Sequence, residues 1–167
     1  MWVDKNKVNI VKSNKESVYN IITKKHYANR WTASSNIYAI YYKVGEHRFF
    51  NGNELKLIGC VVYGNPVGFR VVKSISEELN DSDVLELKRL WIEDGYGSNI
   101  ESYCISKTLK MLNKDSPNTK VVISYADRNA NHKGIIYNFL LGSFYHYFIF
   151  IYQHLLSISL WLLPRSY

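Results

Sequence analysis

The chain has only two cysteines, Cys60 and Cys104, and neither stands at metal-ligand spacing from other candidate ligands. Two isolated thiols speak against a cysteine metal site and for a reducing cytoplasm. No amino-terminal signal peptide is visible, since "MWVDKNKVNIVKSNKES" is charged throughout. No internal repeat occurs, and no Pro/Gly/Ser-rich linker divides the 167 residues. That length suits about one domain, able to bury roughly two thirds of its unfolded surface. The stretch from 139 to 164, "FLLGSFYHYFIFIYQHLLSISLWLLP", holds no Lys, Arg, Asp or Glu.

What the chain does hold is aromatic and basic. Apolar residues make up 47% and charged ones 21%, so a globular fold is expected rather than disorder. The net charge of +7 is unevenly placed. Residues 1–30 carry seven Lys/Arg against two acids, 31–100 carry seven against nine, and 101–167 carry seven against three. A basic amino-terminal region invites a polyanion such as nucleic acid, because neutralised phosphates release counterions. On charge alone, a lysine-rich solvated surface is the simpler account.

Periodicity gives the elements. "ESVYNIITKKHY" (16–27) spaces Val18, Ile21 and Ile22 as a helix ending near His26. "NIYAIYYKV" (36–44) and "ELKLIGCVVYGNP" (54–66) read as strands, the second broken by Gly64 and Pro66. "DVLELKRLWI" (83–92) alternates Leu85, Leu87, Arg89 and Trp91 against Glu86, Lys88, Leu90 and Ile92, again a strand. Ser98-Asn99-Ile100-Glu101 fits a capping box opening a helix whose buried stripe is Ile105, Leu109 and Leu112. "NTKVVISYADR" is a further strand, and "HKGIIYNFLL" starts another helix. Strand, helix, strand, helix in a short span implies an α/β or α+β layer fold.

Each polar residue in this frame has an ordinary explanation. His26 suits a helix carboxy-terminus, where its charge meets the negative dipole end. Arg89 in a strand can snorkel or pair with a carboxylate. Asp127 can cap a helix, and Tyr137 on an apolar helix can be core.

Taken together the residues resemble something. "HYANRW", "VLELKRLWIEDGYGSNIESYCI" and "ISYADRNANHKGIIY" are similar to blocks of the phage-type Mom DNA-modification proteins, a divergent branch of the GNAT acetyltransferase fold. The third block is the most specific: a strand ending Tyr-Ala-Asp, a polar loop, then Gly-x-Ile-Tyr. The resemblance covers about residues 18 to 138. It implies a GNAT-like mixed sheet flanked by helices over 1–138, with an atypical apolar tail over 139–167.

The resemblance also implies an activity: modification of adenine at N6 in double-stranded DNA to a carbamoylmethyl group, shielding phage DNA from restriction nucleases in the host cytoplasm. It implies acetyl-CoA as acyl source and points to an iron ion near Tyr27 and Asp127. The family's functional positions fall on His26, Tyr27, Arg89, Ser102, Asp127 and Tyr137.

The residues are compatible with that chemistry. Gly95, Gly97 and Ser98 sit where GNAT folds hold the CoA pyrophosphate on backbone amides at a helix start. The usual Arg/Gln-x-x-Gly-x-Gly/Ala loop is absent, so Arg89 and Ser102 would supply the charge and hydroxyl that this loop gives up. His26 has a suitable pKa for a base, with Asp127 orienting it or holding a metal. Tyr27 and Tyr137 would donate to a developing oxyanion or ligate iron. A base inside a duplex must be flipped out, and Trp31 or Tyr96 would stack on it.

The tail departs from the family, whose closing strands are expected after residue 138. Three readings stand: a buried terminal helix, a membrane helix, and an aberrant tail after a frameshift, which would leave the sheet with an open edge and the enzyme inactive. A plain acyl-CoA N-acyltransferase acting on a small or protein amine is the competing enzymatic reading, and a non-enzymatic basic DNA-binding remnant is the third.

Overall fold

The computed structural model describes residues 1–47, 52–68, 70–126, 147–152 and 158–159. Its centre is a mixed sheet in strand order β1 (Val8–Lys12), β2 (Asn36–His47), β3 (Gly52–Gly64), β4 (Val84–Ile92), β5 (Val121–Ala126), β6 (Tyr147–Tyr152) and β7 (Ile158–Ser159). The first four strands run antiparallel to their neighbours, β4 to β5 and β5 to β6 are parallel, and β6 to β7 is antiparallel. Helices α1 (Lys15–Lys24), α2 (Val71–Ile75) and α3 (Ile100–Asp115) complete the described elements, with a short 3-10 turn at Asp81–Asp83.

The sheet buries both faces. α1 starts where the Asn14 side chain accepts the Ser17 amide at 3.1 Å, and presents Val18, Ile21 and Ile22 to Ile37, Ala39, Cys60 and Val62. α3 covers the other face, where Cys104, Ile105 and Leu112 meet Tyr38, Ile40, Val61, Tyr63, Leu85 and Leu87. Buried hydroxyls on that side are paired: Tyr63 with Thr108 at 2.8 Å, and Tyr38 donating to Asp115 at 2.8 Å. Burial pushes the Cys60 and Cys104 thiols up to about 12, so both are structural.

β4 does not keep the strict alternation read from its sequence. Tyr63 pairs with Leu87 and Val62 with Arg89, leaving Lys88 as an extra residue in the strand. This bulge exchanges the faces downstream of it. Leu85 and Leu87 therefore share the α3 side with Leu90 and Ile92, while Arg89 and Trp91 turn to the α1 side beside Val62 and Cys60.

Two smaller expectations change as well. α1 closes at Lys24, so His26 lies in the turn that follows, its amide bonded to the Ile21 carbonyl at 3.1 Å. The capping box is not formed: Asn99 is the N-cap, in left-handed conformation (φ 63°) with no side-chain cap bond. The Ser98 hydroxyl instead donates to the Met1 carbonyl at 3.1 Å, because residues 1–3 lie along this loop.

The described parts of the tail, 147–152 and 158–159, are strand rather than either kind of helix. No helix among the described residues is long and apolar enough to cross a membrane. The helix expected from "HKGIIYNFLL" lies outside the described residues.

Candidate functional site

The parallel strands β4 and β5 pair at only three positions, Val84 with Val121, Leu85 with Val122 and Glu86 with Ile123. β4 then runs on to Ile92 against β3 alone, and β5 runs on to Ala126 against β6. The sheet therefore opens at the carboxyl ends of its parallel pair, the position where α/β sheets take ligands.

Arg89 lies on β4 beyond that parting point. Its Nη1 donates to the Lys88 carbonyl inside the bulge, at 2.6 Å. Its Nε is buried with no partner among the described residues. Among the described residues no carboxylate pairs with it. A guanidinium with a spare donor in a half-buried place is suited to an anion or a carbonyl oxygen.

The turn after α1 reaches the same sheet face. Lys25 sits 4.8 Å over the ring of Trp91, two residues from Arg89. Next in the chain, His26 is buried and Tyr27 exposed, their rings stacked at 4.3 Å. His26 Nδ1 accepts the Ala28 amide at 3.1 Å, and the His26 carbonyl accepts the Asn29 amide at 2.9 Å. With Nδ1 occupied as an acceptor, the neutral ring carries its proton on Nε2.

The loop between β4 and α3 takes three residues into positive φ, Gly95 at 97°, Gly97 at 106° and Asn99 at 63°. The Ser98 amide is not free for a ligand, since it donates to the Met1 carbonyl at 2.8 Å, and the Val3 amide donates to the Ser98 carbonyl at 3.2 Å. A side chain at Gly97 would meet Val3 Cα at 2.7 Å, so only glycine admits this crossing. The amides of Gly95, Tyr96 and Gly97 have no acceptor among the described residues. Ser102 stands half-buried in the first turn of α3.

Among the positions expected from sequence, His26, Tyr27 and Arg89 thus fall on the α1 side, and Gly95, Gly97, Ser98 and Ser102 at the α3 end of β4. Asp127 and Tyr137 lie outside the described residues, Asp127 directly after the last residue of β5. The two stacking candidates lie on opposite faces: Trp31 packs on the α1 side, whereas Tyr96 packs on the α3 side against Tyr42 at 4.8 Å. Among the described residues no group of three His, Cys, Asp or Glu could hold a metal.

One feature escaped the sequence reading. Lys88 Nζ meets Glu86 Oε2 at 2.7 Å, with side-chain exposures of 3% and 12%. Glu86 Oε2 also accepts the Val67 amide at 3.2 Å, and the Glu86 charge together with burial raises the Tyr125 pKa, burial contributing more. An ion pair this dry is costly to assemble. It marks the point where β4 and β5 separate. The signal in the sequence was a Glu and a Lys two apart in a strand whose other charged residue is Arg89.

The comparisons agree with the sequence blocks. The family model described as the Mom protein family matches residues 7–154, and the chain belongs to that family. The match runs on past residue 138 to include β6. A curated relative, the methylcarbamoylase Mom of Escherichia phage Mu, is 29% identical over 117 residues. The alignment takes in 70% of this chain and 44% of the relative, so the chain spans less than half of that protein's length.

Proposed function

We propose that this chain is a DNA-modifying transferase that moves the acyl group of an acyl-CoA, acetyl-CoA in the first instance, onto the exocyclic N6 of adenine; turning that amide into a carbamoylmethyl-type group would require a separate nitrogen donor and oxidant. The observation that carries the reading is the family match over residues 7–154 on a sheet whose parallel strands part beyond Glu86. The relative is named a methylcarbamoylase, which supports the transfer of a carbonyl-containing group.

The chemistry assigns roles. Adenine N6 is a weak nucleophile, its lone pair delocalised into the ring, so the reaction needs a polarised electrophile and an acceptor for the released proton. As the N6–carbon bond forms, the acyl carbon–sulfur bond breaks: N6 gives its proton to a base and coenzyme A leaves as the thiol. Arg89, with its spare Nε donor, polarises the acyl oxygen or pairs with a cofactor anion. His26, holding its proton on Nε2 in the neutral form, donates a hydrogen bond rather than taking the N6 proton. The base is then sought first at Asp127, with Tyr137 as a second donor.

Acetyl-CoA would lay its pyrophosphate on the amides of Gly95, Tyr96 and Gly97, with Ser102 and the positive end of the α3 dipole completing the anion site. Tyr27 and Asp127 would be the residues to hold an iron ion, as a phenolate and a carboxylate. Trp31, on the His26 side of the sheet, is the better stacking partner for a flipped base. The enzyme acts in the host cytoplasm on phage DNA.

The test is protection. Plasmid DNA recovered from cells expressing the chain should resist restriction nucleases whose sites contain adenine, and an Arg89→Lys variant should lose that resistance while remaining folded. Full cleavage despite soluble wild-type protein would overturn the reading. The plain acyltransferase alternative rests on the strand–loop–helix unit alone: thiol release from acetyl-CoA with small amines and no DNA would favour it.

A further inference from the structure

We infer that the groove between β1 and α3 is a seat for one phosphate strand of duplex DNA. This rests on the reading that DNA is the substrate. The groove holds about 300 Å³ and is floored by Val8, Ile10 and Met111. Lys107, Lys110 and Lys114 line one rim. They lie three and four residues apart, so all three project from one side of α3 along about 10 Å of its axis.

Three features set this rim apart from an ordinary solvated lysine face. First, like charges at these helical spacings repel in the free protein, and a polyanion relieves the repulsion. Among the described residues none of the three is in a salt bridge, whereas Lys12, Lys56, Lys88 and Lys120 are. Second, the carboxylates of the flanking segments are already engaged. Asp115 accepts from Tyr38 at 2.8 Å and pairs with Lys12 at 3.4 Å, and Asp4 accepts the Asn6 amide at 3.1 Å. Third, the basic line continues toward the β4–α3 loop: Lys107 and Lys5 flank the Tyr103 ring at 5.7 and 5.9 Å. Val3, two residues before Lys5, lies against Gly97 of the β4–α3 loop.

An apolar floor under a row of ammonium groups matches a nucleic-acid backbone, whose sugars are apolar and whose phosphates are anionic. Such contacts are sequence-independent and position the duplex rather than read it. The same helix then carries the DNA seat along its flank and the proposed cofactor amides at its tip.

The experiment measures binding, not modification. The intact chain is titrated with a labelled 20-base-pair duplex over a range of salt, alongside Lys110→Gln/Lys114→Gln and a charge-matched control, Lys73→Gln/Lys120→Gln, whose lysines are exposed and remote from the groove. Each phosphate contact contributes about 0.9 to the slope of log K against log salt. The groove variant should therefore lose about 1.8 from the slope and about 60-fold in affinity at 0.1 M salt. The control should keep the wild-type slope, and Lys110→Arg/Lys114→Arg should restore binding. An equal loss in both glutamine variants overturns the groove in favour of a diffuse field. No duplex binding by the wild type, or retention of an acidic peptide in place of the duplex, overturns it also. Normal salt-dependent binding with unmodified adenine would leave the groove standing and sink the enzymatic reading.

Discussion

Lys88→Met isolates the buried charge at the parting of β4 and β5. The ammonium and carboxylate are 2.7 Å apart with side chains 3% and 12% exposed. Removing the lysine leaves Glu86, among the described residues, with the Val67 amide at 3.2 Å to satisfy a charge shut away from water. Breaking a pair of this kind costs about 3–5 kcal/mol, whereas replacing both members with apolar or neutral groups of similar volume is often close to neutral. For a chain of this size about 2–4 °C of melting temperature goes with each kcal/mol, so Lys88→Met should melt about 6–20 °C below wild type. Glu86→Gln/Lys88→Met should recover most of that loss. The assay is urea or thermal unfolding followed by circular dichroism, with the three proteins at equal concentration. A Lys88→Met loss below about 1 kcal/mol would refute the reasoning, because exposed pairs are worth that little. So would a double variant no more stable than the single one.

The thiols provide a second test. Cys60 and Cys104, pushed up to about 12 by burial, should not react with a disulfide reagent at pH 8 until the protein is unfolded. Their pKa values are higher folded than unfolded, so the neutral thiols contribute stability that is intact below about pH 8.5 and falls as pH rises from there toward 12. Alkaline titration of the melting temperature reads this directly. Ile22→Ala, deleting a fully buried side chain between α1 and the sheet, should cost about 2–5 kcal/mol in urea unfolding. Gly97→Ala introduces a methyl group 2.7 Å from Val3 Cα at a φ of 106°, so it should free residues 1–3 from the loop and increase proteolysis there.

Much of the fold was legible because its signals are local. β2, β3, β4 and α3 come from period-two and period-3.6 patterns strong enough to survive packing, and all are present within a few residues of their expected bounds. β1 and α2 were not seen. "VNIVK" is short, with Asn9, Val11 and Lys12 exposed on one edge of the sheet, and "VVKSI" is a single turn whose only buried residue is Val72. The two faces of β4 were misassigned beyond Leu87 because a bulge is fixed by pairing with β3, which no window of one strand reveals. The capping box failed for a related reason. Ser98 had a competing partner, the Met1 carbonyl, brought in from the far end of the sequence.

The candidate site was legible through motif, and only in part through physics. His26 and Arg89 are separated by 63 positions, and nothing in either local stretch says they share a sheet face. The bulge that turns Arg89 toward α1 puts it there. The Glu86–Lys88 pair, by contrast, is present in the sequence as two opposite charges two apart in one strand, but strict alternation does not say whether that face is dry.

The most direct measurement is the mass spectrum of nucleosides from plasmid DNA carried by cells that express this chain. A heavier deoxyadenosine should appear, with the other three nucleosides unshifted, and it should fall to background in Arg89→Lys and Asp127→Ala proteins of wild-type solubility. Deoxyadenosine of ordinary mass, from cells holding abundant folded wild-type protein, would contradict the account.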